Sequence, residues 1–256
     1  MNPVTIIKIG GAVLEADLAP LWKGVAERRR TEAVALVHGG GPQSTALARR
    51  LGHEPAMMNG RRITTDLDLE ITKMTVGGVL NVDLTAGAVA AGLPAIGLSG
   101  VSGGTVSVVR RPPWTVDNRP VDFGHVGDVV AIETGLLHAL FQAAQFPVIA
   151  CMGIDATGGV YNVNADTVAA EIAAAFFARR LFLVTESGGI RDRSGSLIQE
   201  MTGAEALSGI AAGWIENGMI VKVHTAISAL ERGVNEVRII DQDGVANAPS
   251  GTRIVE

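Results

Sequence analysis

Val4-Thr5-Ile6-Ile7-Lys8-Ile9-Gly10-Gly11 and Val37-His38-Gly39-Gly40-Gly41-Pro42 are the stretches on which the fold turns. In each, an apolar, β-branched run breaks into consecutive glycines. The first reads as a strand, Val4 to Ile9, that ends in a turn before any helix begins. The second reads as the end of a strand, Ala33 to Val37, whose glycines lead into a helix opening near Pro42. With no Cβ in the way, backbone N–H groups at such turns can approach an anion closely, and the helix adds its positive N-terminal end. Two anion cradles at the carboxyl ends of neighbouring strands fall where an open α/β sheet binds its ligands. Neither is a G-x-x-x-x-G-K-[ST] loop, and no G-x-G-x-x-G opens a helix, so the P-loop and Rossmann readings are set aside.

Outward from these loops, short β-branched runs alternate with longer Ala/Leu-rich segments, the pattern of parallel strands joined by crossover helices. Further strands are predicted at Ala95 to Leu98, Pro147 to Cys151, Leu181 to Thr185 and Glu236 to Ile240. Helices are predicted at Leu18 to Arg30, Pro42 to Leu51, Asp66 to Ala91, Thr134 to Ala144, Ala165 to Ala178, Thr202 to Ile210 and Met219 to Arg232. Thr105 to Arg111 and Val126 to Ile132 break the alternation and suggest an antiparallel hairpin excursion around a Pro-rich turn. No linker, repeat or low-complexity tract divides the chain, so its halves are expected to form one α/β sandwich.

Composition narrows the function. The 256 residues carry 21 basic and 26 acidic side chains, a net charge of −5, and few aromatics, six Phe, three Trp and one Tyr. A mildly acidic, aromatic-poor chain is ill suited to nucleic-acid backbones or to base stacking. Glycine is in excess, 32 residues where average usage gives about 18. Cys151 is the only cysteine, which excludes an intramolecular disulfide and a paired-thiolate zinc site. No apolar run reaches the 18 or so residues of a membrane span, and the start lacks a leader pattern, so a cytoplasmic protein is expected.

The candidate chemistry lies in a few polar residues. Lys8 sits on a strand beside a glycine cradle, where a solvated lysine has little reason to be. Lys222 lies in Gly218-Met219-Ile220-Val221-Lys222-Val223, an apolar stretch opening a helix. In Tyr161-Asn162-Val163-Asn164-Ala165-Asp166, either Asn164 or Asp166 can cap the helix that follows. Alternation sends Asn162 and Asn164 to one side, and Asp166 could orient lysines across a site. Asn59-Gly60-Arg61-Arg62-Ile63-Thr64 holds adjacent arginines, one of which can fork onto a carboxylate; surface charge is the alternative.

Taken together, K-I-G-G, H-G-G-G-P, N-G-x-R-x-T, G-L-S-G, G-H-V-G, Y-N-V-N-A-D, G-M-I-V-K-V and the terminal G-T-R-I-V resemble, in order and spacing, the amino acid kinase family. Within it they are most similar to members that phosphorylate N-acetyl-L-glutamate. The resemblance implies a three-layer α/β sandwich with a mainly parallel central sheet and two lobes. Residues 1–178 would bind the acyl amino acid and dimerise, and residues 179–256 would bind the nucleotide. It implies ATP-dependent phosphorylation of the side-chain carboxylate of N-acetyl-L-glutamate, the second step of arginine biosynthesis. The same reaction on acetylated or carrier-linked 2-aminoadipate, or a non-catalytic sensor on this fold, are the alternatives.

By the same resemblance, Lys8 and Lys222 neutralise the transferring phosphoryl group and Asp166 holds both. Gly11, Gly40 and Gly41 supply backbone donors to the phosphates, Gly10 leaves room for them, Arg62 clamps the α-carboxylate, and Asn162 and Asn164 lie along the substrate. Thr185, Glu186, Gly188, Ile190, Gly218 and Met219 surround ATP, while Mg2+ is held mainly by phosphates and water, with no protein ligand. Glu186 stands where the family usually has Asp. No long helix precedes Lys8, which implies an arginine-insensitive homodimer meeting through the Asp66 to Ala91 helix. A carboxylate, with a reference pKa near 4.3, is already ionised at neutral pH and needs no general base. Alignment and charge neutralisation are what the reaction demands.

Overall fold

The computed structural model describes residues 2–58, 61–116, 119–246 and 250–256. Asn59 and Gly60, the first residues of the N-G-x-R-x-T motif, lie outside the described residues. The strands that matter here are β1 (Val4–Ile9), β2 (Ala33–His38), β3 (Ala95–Ser99), β4 (Val106–Arg110), β5 (Gly127–Ile132), β6 (Phe146–Ala150), β7 (Met152–Ile154), β8 (Val160–Asn162), β9 (Arg180–Val184), β10 (Glu200–Thr202), β11 (Val237–Ile240) and β12 (Thr252–Val255). An eight-stranded sheet runs in the order β10-β12-β11-β9-β1-β2-β6-β3. The six strands from β11 to β3 are mutually parallel, and β12 lies antiparallel to β11. The six strands expected from the sequence are all present, with ends displaced by a residue or two. The strands β10 and β12 at one end of the sheet were not foreseen: at three and four residues each, they carry too short a pattern to read.

Helices cover both faces, which makes the molecule a three-layer sandwich. Alternation along each strand sorts the side chains. Val4, Ile6, Ala35, Val37, Leu181, Leu183, Val237 and Ile239 face one core. There they meet α5 (Ala165–Ala175) and α7 (Gly218–Glu231). Ile7, Ile9, Val34, Leu36, Phe182 and Val184 face the other core, with α1 (Ala19–Arg28). Between β2 and β3 lie α2 (Gly41–Arg50) and a long helix, α3, which starts at Asp66 under a Thr65/Asp68 capping box and ends at Ala90. The remaining helices are α4 (Gly135–Gln142) and α6 (Gly203–Ala211).

The sequence predicts α3 as a uniform helix, whereas Lys73–Leu80 is a π-helical stretch inside it. This wider segment is packed tightly: a Cβ on Gly77 would stand 2.5 Å from Met152 Cε. It also brings Val76 and Leu80 against the second glycine loop, where a Cβ on Gly40 would lie 2.3 Å from Leu80 Cδ1. The predicted hairpin is present as β4 and β5, paired antiparallel. It is extended by β7 and β8 into a separate four-stranded sheet that carries Asn162 to the site.

Candidate active site

Lys8 reaches the site by alternation. It continues the Val4, Ile6 row of β1 on the α5-facing side and pairs in register with Val37 and Leu183 at the carboxyl end of the sheet. The glycine loops follow immediately, side by side, because β1 and β2 are adjacent and Ile9 pairs with His38. Asp166 lies in the first turn of α5, the end at which the helix dipole favours an anion. Its i+3, i+4 and i+7 partners, Ala169, Ala170 and Ala173, are buried, and their small side chains let the helix lie close on the sheet. Lys222 stands one turn before buried Ala226 on α7. Three elements thus converge on one carboxylate.

Lys8 Nζ lies 2.9 Å from Asp166 Oδ2, and Lys222 Nζ lies 3.8 Å from Asp166 Oδ1. The second distance is too long for a hydrogen bond, and Asp166 Oδ1 is buried without a hydrogen-bond partner. Burial pushes the Lys222 pKa down and the charge of Lys8 pushes it further, while Asp166 opposes both. Two cations sharing one anion leave a net positive centre.

A cleft of about 660 Å³ opens in front of this centre, and Lys8, Gly10, Gly11, Gly40 and Gly41 lie along it. Arg62, Asn162, Asn164 and Asp166 line it as well. Lys8, Arg49, Arg61, Arg62 and Arg111 border it, against Asp166 as its one acidic residue among the described residues, so the cleft is suited to anions. Asn164 is the residue that caps α5: its Oδ1 accepts from the N–H groups of Asp166 and Thr167 at 2.8 and 3.1 Å. That leaves Asp166 free to hold the lysines. Asn162 donates through Nδ2 to Thr64 Oγ1 at 3.2 Å. Arg62 is braced by Asp68, Thr45 and the carbonyl of Gly41. Burial would raise the Asp68 pKa, but hydrogen bonds from Thr65 and His53 hold it below the usual carboxylate range.

His38 does not enter the chemistry. Fully buried, it has its pKa lowered to about 4 by desolvation. Asn81 Nδ2 donates to its Nε2 at 3.0 Å, and its Nδ1 faces the Gly39 carbonyl at 3.0 Å, which fixes the neutral Nδ1–H tautomer. The second hydrogen of the same amide is shared between the carbonyls of Leu98 and Val148, tying the glycine loop to α3, β3 and β6. Cys151 lies under the cleft floor with its thiol pushed up to about 12 by burial, a core residue and not a nucleophile.

The sequence pattern of the amino acid kinase family matches residues 3–241. The chain belongs to the amino acid kinase family. Among its relatives, the acetylglutamate kinase of Sorangium cellulosum is 41% identical over 249 residues, covering 92% of this chain and 86% of that one. The acetylglutamate kinase of Phocaeicola vulgatus is 38% identical and covers 98% of both chains. The fold is shared with a Streptococcus mutans protein at a TM-score of 0.85 and 24% identity, covering 100% of this chain and 99% of that one. It is shared also with a Giardia carbamate kinase at 0.69 and 16%, covering 99% of each.

Of the residues that the amino acid kinase resemblance singles out, those up to and including Asp166 gather in the cleft, and Lys222 joins them through Asp166. The others sit apart from the cleft. Thr185 follows β9 and donates its N–H to the Ile240 carbonyl, Glu186 is exposed, and Gly188 lies beside Asp241. Ile190 is buried, with its N–H on Thr252 Oγ1. Gly218 and Met219 open α7. Arg61 and Arg111, which line the cleft, went unassigned in the sequence. The run Arg110-Arg111-Pro112-Pro113-Trp114 was the available signal, readable only as a turn.

Proposed function

We propose that this amino acid kinase transfers the γ-phosphoryl group of ATP to the side-chain carboxylate of N-acetyl-L-glutamate, giving the acyl phosphate and ADP, the second step of arginine biosynthesis. The Lys8–Asp166–Lys222 cluster at the head of two glycine loops carries the reading, because it supplies what a carboxylate kinase needs and no more. The attacking oxygen is ionised already, so no base has to be found. What the site must provide is charge neutralisation, and at about 4 Å and an effective dielectric near 20, one cation is worth roughly 4 kcal/mol against an anion. The names of the relatives supply the substrate.

In the proposed reaction, Lys8 and Lys222 draw charge from the transferring group while Asp166 keeps both ammonium groups in place. The N–H groups of Gly11, Gly40 and Gly41 cradle phosphate oxygens, with Gly10 leaving space, and Arg62 holds the carboxylate that does not react. Asn162 and Asn164 border the acylated amine. Thr185, Glu186, Gly188, Ile190, Gly218 and Met219 are proposed to flank the nucleotide, so residues 1–178 would serve the acyl amino acid and residues 179–256 the ATP. Among the described residues no group of three or more His, Cys, Asp or Glu could hold a metal ion. Mg2+ is therefore proposed to arrive on the phosphates of ATP and to neutralise part of their charge.

A homodimer formed through α3 is also proposed. Val79, Val82 and Val89 are 59%, 63% and 54% exposed on one side of that helix, an apolar stripe that a second copy would cover. We place the enzyme in the cytoplasm. The test of the reaction is hydroxylamine trapping of the acyl phosphate formed from ATP and N-acetyl-L-glutamate. A purified protein that forms no hydroxamate from this acid, or prefers the 2-aminoadipate homologue in kcat/KM, refutes the assignment.

A further inference from the structure

Arg61 is a cation of the cleft to which the proposed reaction gives no role. It stands beside Arg62 on a short ribbon, Met57–Met58 with Arg61–Arg62. Successive strand residues face opposite ways, so the two guanidinium groups reach the cleft from different sides. Arg62 turns toward α2 and is already engaged by Asp68, Thr45 and Gly41. Arg61 turns toward Trp114, with its guanidinium carbon 4.8 Å from the ring centroid. Trp114 opens a second ribbon, Trp114–Val116 with Arg119–Val121, and takes a second cation, Arg111, at 4.5 Å.

The charges in this cluster do not balance. Arg111 is paired with Asp128 at 2.7 Å, whereas among the described residues no carboxylate lies within ion-pair distance of Arg61. Burial lowers the Arg61 pKa, Arg111 lowers it further, and Asp128 offsets part of this. Stacking on an indole face holds a guanidinium in place without using its N–H donors. Arg61 is therefore anchored, charged and open to a ligand.

Resting on the reaction proposed above, we infer that Arg61 is a specificity-determining residue that, held on Trp114 beside Arg111, binds the non-reacting α-carboxylate of the acyl amino acid together with Arg62. A carboxylate has two oxygens and can be gripped from both sides, and Arg62 alone has few donors left. Trp114 and Arg111 act as positioning residues: they join the two ribbons and fix the guanidinium at the mouth.

The experiment compares N-acetyl-L-glutamate with N-acetyl-L-isoglutamine, which keeps the reacting carboxylate and replaces the α-carboxylate with a neutral amide. Hydrogen bonds to charged groups are worth about 10- to 100-fold in affinity. Arg61→Gln is expected to raise KM for N-acetyl-L-glutamate by that factor, to leave KM for ATP within about twofold and to leave kcat/KM for the amide unchanged. The preference for the acid then collapses. Arg61→Lys, which restores the charge, is expected to recover most of it, and Trp114→Leu to give an intermediate KM. Calorimetric titration of N-acetyl-L-glutamate into each variant reads the same loss without turnover. An unchanged preference in Arg61→Gln, an equal loss on acid and amide, or a rise in KM for ATP instead would overturn the inference. Failure of the wild-type protein to form any hydroxamate would refute the reaction itself, a result distinct from an active wild type with an indifferent Arg61→Gln.

Discussion

Asp166→Asn tests the electrostatic core of the site while preserving shape. The substitution keeps the backbone N–H that Asn164 caps and the volume between Lys8 and Lys222, and it removes one negative charge. At the 2.9 and 3.8 Å observed, and an effective dielectric near 20, that charge attracts each lysine by roughly 4–6 kcal/mol. Without it, two largely buried ammonium groups repel, and Lys222, whose pKa burial and Lys8 already lower, loses the one influence that raises it. The sign follows: activity that needs protonated Lys222 is present below its pKa and is lost as pH rises through it. Lowering that pKa brings the alkaline limb of kcat/KM to lower pH. A partly neutral Lys222 and misplaced ammonium groups are also expected to cost about 10²–10³ in kcat, the range for one preorganised electrostatic contact. Breaking a buried pair costs about 3–5 kcal/mol of stability, so Tm is measured alongside. The assay is hydroxamate formation between pH 6.5 and 10 over a range of substrate concentrations, which yields both kcat and kcat/KM. An Asp166→Asn enzyme with wild-type kcat and an unmoved alkaline limb would refute the argument.

Lys8→Ala is expected to lower kcat by a similar 10²–10³ while KM for the acyl amino acid changes little; unchanged turnover removes Lys8 from the chemistry. Gly40→Ala forces a methyl group onto Leu80 Cδ1, 2.3 Å away. It should lower both Tm and kcat/KM, and a neutral outcome would show that the loop does not lean on α3. Buried His38, with its pKa lowered to about 4 from 6.5, contributes stability that is fully present above 6.5 and is lost as pH falls toward 4. The shift corresponds to about 3 kcal/mol. Urea midpoints across that range should fall more steeply in the wild type than in His38→Gln, and parallel curves would contradict the buried neutral ring. Val82→Lys, placed on the exposed stripe of α3, should convert a dimer into a monomer by light scattering, and an unaltered assembly would relocate the interface.

The fold was legible because its rules are local and repeat. Each central strand alternates between two helical layers, so the identity of a residue and its parity reveal which core it enters. The glycine loops announced the ligand edge for the same reason: they end strands whose adjacency follows from the alternation of strand and helix. What escaped was what depends on distant neighbours. Nothing in Lys73–Leu80 separates a π-helical stretch from an α-helix, because the widened turn answers to Met152 and Gly40, far away in the chain. Likewise β7 and β8 are too short to show a period, although they deliver Asn162.

Lys8 and Arg61 mark the boundary between what such reading can and cannot reach. Both are basic residues whose bland explanation is solvated surface. Lys8 contradicts that explanation from within its own segment, since it interrupts an apolar strand just before a glycine pair and so must be buried beside an anion site. Arg61 has no such local contradiction. Its neighbours in sequence are polar, and its significance arises only when a second ribbon, some fifty positions on, lays Trp114 beneath it and brings Arg111 beside it, with Asp128 already committed to Arg111. A charge that is costly in its own strand can be recognised from sequence; a charge that becomes unbalanced only through tertiary contacts cannot. The excess positive charge at Arg61 is therefore a product of the assembled fold, and a ligand carboxylate is what would balance it.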